Sequence, residues 1–229
     1  MNLNILLPVS ILVFFGLSAA SPRKAEPPPG PSQIDSIYMV LNAGKLPLPG
    51  KDVFDKAMTG LYSLAKENST RSKTISIIDF TLPSTKKRLW VIDLSEGRIV
   101  HHSLVAHGKN SGELYAREFS NAHDSNKSSL GFFLTGKTYR GKHGLSLKLH
   151  GLEPGINDQA ESRAIVIHGA EYVNEEYAKK AGRLGRSWGC PAIPMDKHKE
   201  IINFLANGTC VFIYYPDRNY LSKSRFAGT

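Results

Sequence analysis

The chain has 229 residues, 29 Lys and Arg against 20 Asp and Glu, and a formal net charge of +9. With 41% hydrophobic and 21% charged residues it has a folded domain's composition, which excludes a disordered chain, and its length allows one good core with an appendage. The positive balance favours anionic surfaces, while scattered Lys and Arg without zinc-finger spacing, aromatic-basic RNA signature or reading helix argue against nucleic acid as a partner.

The first 21 residues, MNLNILLPVSILVFFGLSAAS, carry no charge, and an apolar run from Ile5 to Leu17 ends in Ser18-Ala19-Ala20. This reads as a signal peptide over 1–20, too short for a stable membrane span, and predicts a periplasmic or secreted protein. The prolines of 21–32 predict a linker. A helical segment is expected over 33–69: a short helix from Gln33 to Ala43, then a longer one after the LPLPG break. In the second, Val53, Phe54, Ala57, Met58, Leu61, Leu64 and Ala65 share one face and Asp52 is the expected N-cap.

From residue 74 the pattern becomes β-branched and apolar. TISIIDF, KRLWVIDL and RIVHHSLVA read as strands, the last two joined by the turn SEGR. SLGFFLTGKTY, LSLKLHGL, RAIVIHG and TCVFIYYP follow. Two helices interrupt them: NEEYAKKAG, capped by Asn174 and closed by Gly182, and MDKHKEIINFLANG, with Asp196 as expected cap and Gly208 at its exit. The expected fold is mainly β with small helices, over 70–217, followed by a tail at 218–229. The stretch 107–128 has no period and is expected to be either a functional loop or an excursion.

The chemistry concentrates in GRLGRSWGCPAIP, residues 182 to 194, and in RAIVIHG, where His168 is expected at the point where a strand leaves the sheet. Cys190 has four readings. It is a nucleophile activated by His168, with the backbone N–H groups of Gly189 and Cys190 cradling an oxyanion. It pairs with Cys210 as a disulfide, which an exported chain permits. It binds zinc with His168, His107 or His143, although no HExxH or CxxC spacing is present. Or it is inert packing.

HGA followed by GRSWGCPA resembles the His-Gly and Ser-x-Gly-Cys signature of L,D-transpeptidase (YkuD-type) catalytic domains. LWVIDLSEGRIVHHSLVAHGK resembles that family's early hairpin, and SSLGFFLTG its Thr-Pro-x-Gly-x-Phe segment. These pieces run in family order from about residue 88 to 195. The resemblance implies a β-sandwich or barrel-like domain that needs no cofactor or metal. It implies peptidoglycan stem peptides as partners and carbapenem-type compounds as inhibitors. Cys190 would attack the carbonyl between the diamino acid at position three and D-Ala, and His168 would take and return the proton. The acyl-enzyme passes to an amine, giving a 3–3 cross-link, or to water. Gly169 falls where the family orients its histidine, through its carbonyl here. Ser187, Trp188 and Gly189 form the turn and oxyanion side.

Arg186, and less so Arg183, is expected to meet a stem carboxylate, and Tyr139 to line the cleft. His107, His143 and His150 are expected at its border or on the surface. The chain departs from the family where Trp188 replaces a histidine, Ala192 an Arg or Asn, and Ser128-Ser129 the Thr-Pro. Two rival readings stand beside the enzyme: a wall-binding module with a decayed site, and a metal-dependent peptidase.

Overall fold

The computed structural model describes residues 31–42, 46–67, 69–70 and 72–227. The expected signal peptide and most of the linker lie outside them. The elements, in order, are α1 (Pro31–Asn42), α2 (Lys51–Lys66), β1 (Thr74–Asp79), β2 (Leu89–Asp93), β3 (Arg98–Ser103), β4 (Gly131–Gly141), β5 (Gly144–Gly151), β6 (Val166–Ala170), α3 (Glu175–Ala181), β7 (Ala192–Pro194), α4 (His198–Leu205), β8 (Cys210–Tyr214) and α5 (Arg218–Lys223).

The strands form one mixed sheet in the order β3-β2-β1-β8-β4-β5-β6-β7. β1 with β8 and β6 with β7 are parallel; the other neighbours are antiparallel. The chain leaving β3 then returns to the opposite edge. Ala106 exchanges both backbone hydrogen bonds with Ala192, at 2.8 and 3.3 Å, and Gly108 bridges Ser187. These contacts curl the sheet toward closure and give it its barrel-like character. They also satisfy the exposed edge of β7.

The core is the buried face of this sheet with α2 and α4 laid on it. α2 buries Val53, Phe54, Ala57, Met58, Leu61 and Leu64 as its spacing requires, each large side chain contributing roughly 1.5–3 kcal/mol. Ala65 is exposed instead, at the edge of that stripe. Gly60 is buried mid-helix because a Cβ there would stand 2.0 Å from the Phe132 ring.

Several local expectations need correction. Asp52 does not cap α2; Gly50 holds that position, and the Asp52 carboxylate meets Lys56 at 3.0 Å and Tyr214 at 3.2 Å. Asp196 does not cap α4, whose N-cap is Lys197. Pro191 leads into β7 rather than directly into a helix, and the tail contains α5, capped by Asp217. Asn174 accepts from the Tyr177 amide and Gly182 is left-handed at φ 70°, as the sequence of α3 requires.

The segment 107–128 is anchored by a residue that periodicity does not reveal. Arg88 is fully buried and donates to the carbonyls of Leu82 and Val105 at 2.8 to 3.1 Å. Its Nη2 also donates to His107 Nδ1 at 2.8 Å, so His107 carries its proton on Nε2 and donates to the Gly112 carbonyl at 3.1 Å. Burial lowers the arginine to about 9, which leaves it cationic at neutral pH. Burial and the adjacent Arg88 push His107 down to about 4. His107 is therefore a neutral link between core and loop, not a group of the cleft.

This link makes acid sensitivity predictable. The unfolded chain protonates His107 near its ordinary value of about 6.5, and the folded chain only near 4. Its contribution, up to about 3 kcal/mol, is present above the ordinary value and lost as pH falls toward 4. Urea unfolding as a function of pH should show stability falling across this window. The fall should be shallower in His107→Gln, which keeps an acceptor and a donor without titrating.

Candidate active site

His168 lies in the middle of β6, not at its exit, with Ser146 opposite on β5 and Ala192 opposite on β7. The row continues to Tyr139, opposite Ser146 on β4. Paired residues share a face, so Tyr139 stands in the row of His168 two strands away, roughly 10 Å. It is partly exposed.

The His168 ring is 2% exposed. Its Nδ1 is 2.9 Å from the Gly169 carbonyl, which can only accept, so Nδ1 holds the proton and Nε2 keeps a free lone pair. Gly169 must be glycine: a Cβ would approach the His198 ring to 2.7 Å and the Met195 sulfur to 3.0 Å. Behind His168 stands His143, stacked at 4.3 Å between ring centres and 21° between planes. Burial first, then the neighbouring His143, holds the His168 imidazole below its ordinary value, only partly offset by the Gly169 hydrogen bond.

Cys190 precedes β7 by two residues. The His168 amide donates to the Pro191 carbonyl at 3.4 Å, so Cys190 and His168 sit on adjoining strand segments. The Cys190 thiol donates to the Ala164 carbonyl at 3.6 Å. Val166 and His168 are one pleat repeat apart on β6, roughly 7 Å. Burial raises the Cys190 thiol, while the Val166 amide and the Arg163 charge oppose that rise. Both shifts favour a neutral thiol and a neutral imidazole, rather than a resting ion pair. Cys190 and Cys210 are both free, so the disulfide reading fails; Cys210 is buried in β8.

The turn before Cys190 is stapled by three hydrogen bonds from two serine side chains. The Ser187 hydroxyl donates to the Cys190 carbonyl at 2.6 Å and accepts from the Gly189 amide at 3.1 Å. The Gly189 amide is thus committed, which corrects the expectation that it faces an oxyanion. Of the two amides expected to cradle an oxyanion, that leaves the one of Cys190. The Ser128 hydroxyl accepts from Gly108 at 3.0 Å and donates to the Gly189 carbonyl at 3.1 Å, joining the long loop to the turn. Gly189 has φ +126°, and a Cβ would meet the Lys127 carbonyl at 2.9 Å.

Arg163 fastens the same loop from below, donating to Ser120, Ser125, Lys127 and Ser129. Sequence reasoning missed it, because a lone arginine before an apolar strand carries no signal. Ser128 was visible only as a departure from the family pattern. Tyr172 was also missed; burial and the nearby Cys190 raise its phenol to about 12, so it stays protonated.

Several expected contacts fall elsewhere. Arg186 donates to the carbonyls of Lys109 and Gly112 and pairs with Glu113 at 2.5 Å, and Arg183 pairs with the same carboxylate at 2.9 Å. His150 contacts Glu161 at 3.1 Å. Ala192 is buried by its pairing with Ala106 and His168. Trp188 is 71% exposed, directly before the turn glycine. Among the described residues, no group of three or more His, Cys, Asp or Glu side chains is placed to hold a metal, and no helix is long and apolar enough to cross a membrane.

Two outcomes test this geometry. Replacing His143 with alanine removes both a covering ring and a like charge, so the His168 imidazole should titrate higher, as followed by NMR of the ring protons. Gly189→Ala should keep the fold, read by circular dichroism, while moving the thiol and cutting its alkylation rate at least about tenfold.

A family model described as an L,D-transpeptidase catalytic domain (YkuD_2) matches residues 49–214. No curated protein matches the sequence. Similar solved structures include an L,D-transpeptidase from Mycobacterium smegmatis, at 10% identity and TM-score 0.40, covering 63% of this chain and 59% of that one. An L,D-transpeptidase in complex with imipenem is 12% identical at TM-score 0.38, with 62% and 59% covered. One from Xylanimonas cellulosilytica is 14% identical at TM-score 0.38, with 85% and 100% covered. The chain spans about three fifths of the length of the first two, 59% in each case. With the family match covering well over half of its 229 residues, the chain belongs to the family of L,D-transpeptidase catalytic domains.

Proposed function

We propose that this chain is an exported cysteine L,D-transpeptidase of peptidoglycan stem peptides, working in the periplasm or outside the cell and acting as an L,D-carboxypeptidase when water is the acceptor. The observation that carries the reading is the stapled Gly189-Cys190 turn beside β6, where His168 has its proton fixed on Nδ1 and Nε2 open.

In this reading the thiol turns from the Ala164 carbonyl toward Nε2 as a stem peptide arrives. Sulfur attacks the carbonyl between residue three and D-Ala while its proton passes to Nε2. The carbonyl π electrons move to oxygen, and the Cys190 amide donates to the oxyanion. Arg163, fixed by its four partners, adds a positive field nearby. Collapse breaks the C–N bond, and the imidazolium returns the proton to the departing amine, leaving a thioester and free D-Ala. An acceptor amine or water then attacks the thioester, gives its proton to Nε2, and the thiol leaves reprotonated.

The neutral starting pair sets the pH dependence. Activity requires His168 unprotonated and Cys190 protonated. The acid limb of kcat/KM should lie below the ordinary histidine range and the alkaline limb above the ordinary thiol range.

The direct test is mass spectrometry of the full chain after exposure to a carbapenem, with stem-peptide turnover followed in parallel. An adduct on Cys190, absent from Cys190→Ala, and loss of D-Ala release in both Cys190→Ala and His168→Ala are the expected results. Unchanged turnover by Cys190→Ala contradicts the proposal.

A further inference from the structure

Trp188 is the most exposed large hydrophobic side chain among the described residues, at 71%. Packing does not account for a side chain so open beside the nucleophile's turn. It does have company. The Lys109 ammonium lies 5.6 Å from the ring centre and that of Lys142 lies 5.5 Å from it. Contacts of this length hold a cation against an indole, each worth about 0.5–1 kcal/mol at an exposed site. Two ammonium groups therefore stand within reach of one exposed indole.

Those charges lack a counterion. Among the described residues, neither lysine is ion-paired, whereas Arg183 and Arg186 share Glu113 and Lys127 holds Glu118. The lysines are also tied to the two ends of the site. The Lys109 amide donates to the Ser187 carbonyl at 2.8 Å, inside the stapled turn. Lys142 sits in the two-residue turn between β4 and β5, next to His143, which stacks on His168. One cation thus belongs to the nucleophile's turn and the other to the cover of the base.

We propose that Trp188, Lys109 and Lys142 form the seat for the terminal D-Ala carboxylate of the donor stem, a role expected of Arg186 before its guanidinium is seen bound to Glu113. The inference rests on the transpeptidase reading for the identity of the peptide, and deepens it. In a stem peptide ending in D-Ala, the free carboxylate carbon is three bonds from the carbonyl under attack, within about 4 Å. Trp188 is two residues from Cys190, and the Lys109 amide is bonded to the same turn. A carboxylate held there fixes the scissile bond over the sulfur and selects a stem ending at position four over one continued or amidated at that end. The replacement of the family histidine by Trp188 then supplies a recognition device and does not mark decay.

The test uses the full chain carrying Cys190→Ala and Trp90→Phe, so that no thioester forms and Trp188 is the sole indole. Its emission is titrated with a synthetic tetrapeptide stem bearing a free C-terminal carboxylate, and with the same peptide amidated at that end. The free acid should perturb the indole and bind about fivefold tighter at low salt. Salt should narrow the difference, and Lys109→Ala with Lys142→Ala should abolish it. Trp90 is buried, so calorimetric titration of Cys190→Ala alone supplies the same comparison should the double variant not fold. Equal affinity for the two peptides overturns the seat, as does an indole that answers only to glycan-bearing fragments. The two proposals fail separately. A carbapenem adduct without carboxylate discrimination removes the seat and leaves the enzyme; discrimination without any adduct does the reverse.

Discussion

The parallel register of β6 against β7 is the constraint on which the rest depends. It sets His168 opposite Ala192 and thereby brings the residue two positions earlier, Cys190, onto the flank of the strand that carries the imidazole. The other devices preserve this placement. Ser187 closes the turn on itself, Ser128 joins it to the long loop, and Gly169 lets α4 press against β6. The second edge of β7 is occupied by Ala106, so the short strand is held from both sides. A three-residue strand has little intrinsic stability; its position is a product of these tertiary contacts.

Charge around the site is arranged in two tiers. Close to the sulfur, burial keeps both thiol and imidazole neutral, and the fixed guanidinium of Arg163 is the nearest strong field. Further out, Glu113 pairs with both Arg183 and Arg186, while Lys109 and Lys142 stand over Trp188 without an ion pair among the described residues. A neutral resting pair avoids the cost of burying two charges. It also means that the proton must move as the bond forms, so the orientation of Nε2 matters more than the resting acidity of the thiol.

Much of the fold was legible because local and tertiary preferences agree. The hairpin of β2 and β3, the capped helix from Glu175 to Ala181 and the apolar stripe of α2 all follow from patterns within their own segments. The failures occur where distant contacts decide. Asp52 and Asp196 have good capping chemistry, but Gly50 and Lys197 hold the boundaries, and the Asp52 carboxylate is taken by Lys56 and Tyr214. β7 escaped notice because three residues cannot show a period. Arg88 reads as a surface charge and is wholly buried, satisfied by carbonyls and a neutral histidine far along the chain. In the site, Cys190 and His168 were visible from motif spacing. Their supports, Ser128, Arg163 and His143, come from other segments and acquire meaning only when the fold assembles.

The central claim is that Cys190 rests as a thiol and loses its proton to His168 only as it attacks. The alkylation rate of Cys190 by iodoacetamide, followed by mass spectrometry across pH, tests this most directly. The account predicts a rate that keeps rising through and beyond the ordinary thiol range, with no plateau at neutral pH. A rate already saturated at neutral pH, and dropping only as the imidazole region is passed in acid, would mean a standing thiolate–imidazolium pair and would contradict it.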